Sequence, residues 1–249
     1  MADQPWYTSP AGWWQELGST IPAIPGYGTA RRLGARLPIE PLFDVLTPRL
    51  VGKRIETRLG GSPLTFTVTG LDTRFDPIGA ALGQADEVAF TAGDVEFEGM
   101  SATRVAVHPR YVHTRLSLNP TLVAAPVDVV VETDWDQVQL LLQRHLGQVD
   151  VEPLGEQRAR LRPTGERSRR GWVDVDVAVV DGRVELRPTA AGWGESLLRR
   201  RVQRIPAIPV PTALGDGVRI VDVRVAPESV SVVLRVDEWS IAYTRLLSF

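Results

Sequence analysis

Trp172-Val173-Asp174-Val175-Asp176-Val177-Ala178-Val179-Val180-Asp181-Gly182-Arg183-Val184-Glu185-Leu186-Arg187-Pro188 is the stretch whose reading decides the fold. Val173, Val175, Val177 and Val179 alternate with Asp174 and Asp176, the period of a strand with one apolar and one wet face. Asp181-Gly182 is a two-residue hairpin signal, because both positions tolerate the positive φ that tight hairpin turns demand. Val184, Leu186 and Pro188 begin the returning strand. An antiparallel sheet with its apolar side turned to a core follows.

The same texture extends upstream. Leu64–Val68, Val88–Phe90, Val95–Phe97, Arg104–Val107 and Val112–Leu118 alternate with period two, and Val127–Thr133 is more continuously apolar. Asp134 then reads as the cap of a helix in which Val138, Leu141, Leu142 and His145 share a face, with Gly147 as its stop. A second helix is expected over 48–59. There Thr47-Pro48 resembles a cap followed by a first-turn proline, and Leu50, Val51, Ile55 and Leu59 fall on one stripe before Gly60-Gly61. A third is expected over 194–204, carrying Leu197, Leu198 and Val202, and a short one over 11–18. The last strands pair Val218–Val225 with Val230–Val236, and the slip of inward phase at Ile220-Val221 predicts a β-bulge. Short turns between strands exclude a doubly wound sheet and give an α+β class.

The chain has 249 residues, of which 43% are hydrophobic, enough for one large core or two small ones. Three regions follow from composition. Residues 1–40 form an arm rich in Trp, Pro and Gly, residues 41–238 the α+β domain, and residues 239–249 an apolar tail. The net charge of −2 provides no global field toward nucleic acid. Cysteine is absent, which excludes disulfides, thiolate metal sites and cysteine nucleophiles. Lys53 is the sole lysine, so the basic charge is almost all arginine, which codon usage explains. Met1–Pro5 has neither a basic nor an apolar leader pattern, and no apolar run has spanning length. A cytoplasmic protein, peripheral on the inner face of the plasma membrane, is expected.

The catalytic inventory is thin. His108, His113 and His145 are the only histidines, and the first two stand an odd number of residues apart, on opposite faces of a regular strand. Asp72/Asp76 and Asp134/Asp136 sit beside turn and cap signals. No nucleophile elbow, phosphate-binding loop or zinc-protease motif occurs, and Gly26-x-Gly28 lacks a dinucleotide fingerprint's strand and third glycine. The expectation is no enzyme, no metal and no cofactor.

Two groups of residues point instead to surfaces. Trp6, Tyr7, Trp13, Trp14 and Leu17 crowd the arm, as residues that seek a half-wet, half-apolar boundary. They suit packing on the domain, a membrane interface or a protein partner. Arg199, Arg200, Arg201 and Arg204 suit a solvated helix face or anionic lipid headgroups. Nucleic acid fits neither, since the aromatics are not interleaved with the arginines.

A family resemblance rests on three further stretches. These are Arg54–Val68, Asp86–Gly99, and above all Ile205-Pro206-Ala207-Ile208-Pro209 leading through Leu214-Gly215-Asp216-Gly217 into Val218–Val225 and Val230–Leu234. In these the chain resembles the actinobacterial phospholipid-binding domains typified by a lipomannan elongation factor, which look related to the tubular lipid-binding proteins. Gly70–Pro77 stands where members carry a proline–phenylalanine–leucine motif. The resemblance covers about residues 48–237. It implies a long curved antiparallel sheet wrapped around one or two helices, with acyl chains of a phospholipid in an apolar groove. It implies a non-catalytic lipid-binding or transfer role at a membrane surface. The alternative from the residues alone is an accessory subunit of a larger assembly, docked through its aromatic arm and tail.

Overall fold

A computed structural model describes residues 50–59, 62–74, 84–97, 99–115, 121–155, 157–165, 171–194, 196–197, 202, 205–210, 214 and 217–242. Antiparallel strands dominate it, with one helix of full length among the described residues, so the class is sheet-dominated α+β. The chain separates into two compact units, one of residues 1–129, 214–218 and 235–249, the other of residues 130–213 and 219–234.

The sheet of the first unit runs in the order β1 (Arg54–Leu59), β2 (Ser62–Arg74), β3 (Gln84–Phe97), β4 (Met100–Arg115), and then the ends of β6 (Val127–Asp134), β14 (Ser229–Val236) and β13 (Val218–Val225). β5 (Thr121–Ala124) pairs with β4, and β15 (Trp239–Ala242) pairs with β5. The first residues of the C-terminal tail are therefore strand. Residues 243–249 lie outside the described chain, as does the arm up to residue 49 with its expected helix over 11–18.

Bulges let these long strands keep one apolar face. In β3, Phe90 and Ala92 face inward at even positions, then Val95 and Phe97 at odd ones. The change of phase is absorbed where the pairing with β2 shifts between Thr65 and Thr67 and Asp94 takes φ 49°. A compensating shift between Val68 and Gly70 realigns Leu71 with Phe90. The expected pairs of short strands at 88–97 and 104–118 are accordingly single strands, β3 and β4. Phe66 and Phe90 meet edge to face, with centroids 6.0 Å apart.

The helix expected over 48–59 does not run on past Leu50, which is helical: Arg54–Leu59 is strand β1. Gly52, at φ 84°, turns the chain, and its N–H donates to the Val68 carbonyl at 2.8 Å. Beyond the turn, Arg54, Glu56 and Arg58 alternate with Ile55, Thr57 and Leu59, a period-two pattern with two β-branched residues. Ile55 lies opposite Phe66 and packs in the same core, which a helix would forfeit.

The second unit holds a meander of β7 (Val149–Gly155), β8 (Arg158–Pro163), β9 (Gly171–Val180) and β10 (Arg183–Trp193), with β11 (Ser196–Leu197) and β12 (Ile208–Pro209) both on β10. Asp181 and Gly182 take φ 50° and 75° between β9 and β10, as the hairpin signal requires. The helix expected over 194–204 begins instead as β11, while Val202 is helical and buried, and residues 198–201 and 203–204 lie outside the described chain. Within β13 burial passes from Ile220 to Val223 and Val225, the change of phase read from the sequence.

Candidate functional site

The face that merits attention is the apolar side of this second meander. Helix α1 (Trp135–Leu146) lies against it. Asp134 caps the helix, its carboxylate accepting from the Gln137 N–H at 3.0 Å, and Gly147 ends it at φ 81°. Trp135, Val138, Leu142 and Leu146 pack onto Val149, Ala159, Leu161, Val175 and Leu186. The burial of Leu142 and the contacts of Val138 follow the stripe read from the sequence, but His145 is exposed and Leu146 takes the inward place. The helical period drifts, so a residue eleven positions after Trp135 returns to its side better than one ten after.

The helix is shorter than the surface beneath it. Its 12 residues span about 18 Å, whereas the 11 residues of β10 span about 36 Å. Val173, Val177 and Val184 remain half-buried around the covered centre. Ala191 lies opposite Val173 on this same face, and two residues on Trp193 continues that side of β10 with 52% of its surface in water. Ile208 and Val210 also enter this core, Ile208 pairing with Leu186 and the Val210 N–H donating to the Val184 carbonyl at 2.9 Å. Ile205-Pro206-Ala207-Ile208-Pro209, a segment whose sequence also occurs at Ile21–Pro25 outside the described residues, thus borders the apolar face.

The reverse side of the meander is a charge-matched lattice. Arg160 chelates Asp174 at 2.6 and 3.0 Å, and its guanidinium lies 4.3 Å from the Trp172 ring centroid. The Asp174 hydrogen bond raises the Arg160 pKa further above its usual value, so the guanidinium stays charged. Trp172 Nε1 donates to the Gly194 carbonyl at 3.0 Å, and its indole fills the space above Gly192. Arg162 meets Glu152 at 3.2 Å and Arg187 meets Glu185 at 3.3 Å. Asp176 stands between Arg158 and Arg187 in register. Arg158, Arg160, Arg162 and Arg187 each have an acid beside them, so this side projects little net field toward an anionic surface.

In the first unit the sequence missed one centre. Asp128, with only 8% of its side chain exposed, takes a bidentate pair from Arg235 at 2.7 and 3.2 Å and a third bond from Arg110 at 2.9 Å. Its hydrogen bond from Arg235, with the charges of both arginines, lowers its pKa below the usual carboxylate value despite burial. An aspartate inside the apolar run Val127–Val131 was the available signal, since such a carboxylate must find cations. Next to Arg110 in the chain, Tyr111 is 74% exposed at φ 48°, with its carbonyl oxygen 3.1 Å from His113 Nδ1.

The membrane or partner contacts read from the sequence, Trp6, Tyr7, Trp13, Trp14 and Leu17, lie outside the described residues, as do the headgroup contacts Arg199, Arg200, Arg201 and Arg204. Among the described residues no three His, Asp or Glu side chains gather as metal ligands, and no helix is long and apolar enough to cross a membrane. Comparison with protein-family models, curated proteins and solved structures finds nothing that matches this chain.

Proposed function

We propose that the chain is a non-catalytic lipid-binding or lipid-transfer protein that works at a membrane surface and receives acyl chains on the apolar face of its second meander. One observation carries this reading: that face outruns its only described helix and ends in the half-exposed Trp193. An apolar surface longer than its cover is what an acyl chain fits, because ligand sites of this kind are mostly apolar with few polar anchors. The Ile205–Pro209 segment, on which the resemblance to phospholipid-binding domains leans most, borders the same face.

Uptake of a fluorescent fatty acyl probe tests it. The full chain is expected to bind the probe, and Trp193→Arg, which puts a charge at the open end, to weaken binding about five- to thirtyfold, as loss of roughly 1–2 kcal/mol of apolar contact implies. Equal binding by both proteins, or none by either, contradicts the reading.

A second reading, an accessory subunit of a larger assembly, draws on Tyr111, whose exposed ring on a left-handed backbone is a costly feature to keep without a partner. Recovery of the chain in a stable complex that Tyr111→Ser disrupts, with no acyl probe bound, favours it over lipid carriage.

A further inference from the structure

The two ends of the second meander are unlike. At the end with the hairpin turns, the chain is bound to β13: Gln157 Nε2 donates to the Val223 carbonyl at 2.7 Å, and the Ile220 N–H donates to the Gly182 carbonyl at 3.3 Å. At the other end β9 starts at Gly171, opposite the last residue of β10, Trp193. There Gly194 takes φ 60° and turns the chain into β11, so that exposed Trp193 faces exposed Ser196 across the turn. Helix α1 is tied to the β7 border, where Gln139 accepts from the Val151 N–H at 2.7 Å and donates to the Val149 carbonyl at 2.8 Å. Trp193 on β10 stands three strands, about 14 Å, from that border.

Glycines on both sides would leave Trp193 a loose tip, but contacts on the reverse side of the sheet hold it. The Trp172 ring lies against Gly192, just before Trp193, and Trp172 Nε1 donates to the carbonyl of Gly194, just after it. Arg160, fixed by both oxygens of Asp174, lies on the outer face of the same ring. Trp172 and Trp193 project from opposite sides of the sheet, so Trp172 acts on Trp193 only through the backbone. We propose that Trp172 is a positioning residue for the acyl-binding face: with Arg160 and Asp174 it fixes the Gly192–Trp193–Gly194 tip, and Trp193 forms the mouth by which an acyl chain enters. The inference rests on the lipid-binding reading and adds to it the end of entry and the device that shapes it. A tip fixed before the ligand arrives spares binding the cost of ordering it.

Equilibrium titration of a fluorescent fatty acyl probe against the unaltered chain, Trp172→Phe, Trp193→Ala and the double variant tests it. Trp172→Phe keeps a ring between Gly192 and Arg160 but lacks the N–H. Loss of that bond is expected to weaken binding about two- to tenfold, because the tip is then ordered for less of the time. In the Trp193→Ala background the same change is expected to leave affinity as it was, while the melting temperature falls alike in both backgrounds. An equal loss of affinity in both backgrounds makes Trp172 a structural residue only and overturns the proposal, as does no loss in either. Absence of uptake by the unaltered chain overturns the lipid-binding reading itself, and this inference with it. Arg160→Lys, which keeps the charge but not the planar fork that holds Asp174 and covers the ring, is read the same way should Trp172→Phe not fold.

Discussion

Asp128 shows how much one side chain decides. Its carboxylate is buried and held by Arg235 and Arg110 from two other strands, so removing it leaves two guanidinium groups with an unfilled cradle. Asp128→Asn is expected to lower stability at neutral pH by about 2–4 kcal/mol, somewhat under the ~3–5 kcal/mol for breaking a fully buried pair from one side, because Arg110 and Arg235 keep part of their surface in water. The shift of the urea midpoint at unchanged slope measures it. The pH dependence has a definite sign. The folded-state pKa lies below its usual value of 3.8, so the contribution is present above that value and fades as pH falls through the lowered one. The Asn variant is expected to lack this part of the acid-induced loss. The sequence held the clue, a carboxylate in an apolar run, but not its partners, because β4, β6 and β14 come together only in the fold.

At the scale of elements, the strongest periods survived and the ambiguous ones went to whichever partner was nearby. β9 and its hairpin formed as read, since alternation over ten residues and an Asp-Gly turn agree with each other. The stripe Leu50, Val51, Ile55 and Leu59 fitted a helix and a strand alike, and pairing with β2 chose the strand. His145 was placed on the inner face and is exposed, an error of a fraction of a turn that only packing resolves. Pairing between β9 and β10 also sets a local demand that composition hides. A methyl group on Gly192 would meet the Trp172 ring at 2.4 Å and the Ser196 carbonyl at 2.6 Å, and the latter cannot swing aside. Gly192→Ala is expected to cost about 1–3 kcal/mol, the usual range for overpacking, read as a lower melting temperature with loss of Trp172 order in its fluorescence.

For the whole molecule, composition excluded more than it assigned. The chain has no cysteine, and the described surface sets a carboxylate against each of Arg160, Arg162 and Arg187 on the second meander. What it offers is an apolar sheet face only partly roofed by α1, and this extent was not legible in the sequence because strand lengths and the reach of a helix over them are properties of the packed unit. The aromatic arm and the Arg199–Arg204 cluster are the residues from which the proposed membrane contact is read. Lipid carriage is tested most directly by native mass spectrometry of the full chain purified without detergent, followed by solvent extraction. The account predicts protein ions carrying adducts of acyl-lipid mass that vanish after extraction and return on incubation with phospholipid vesicles. Bare protein before and after such incubation, with no acyl lipid in the extract, would contradict it.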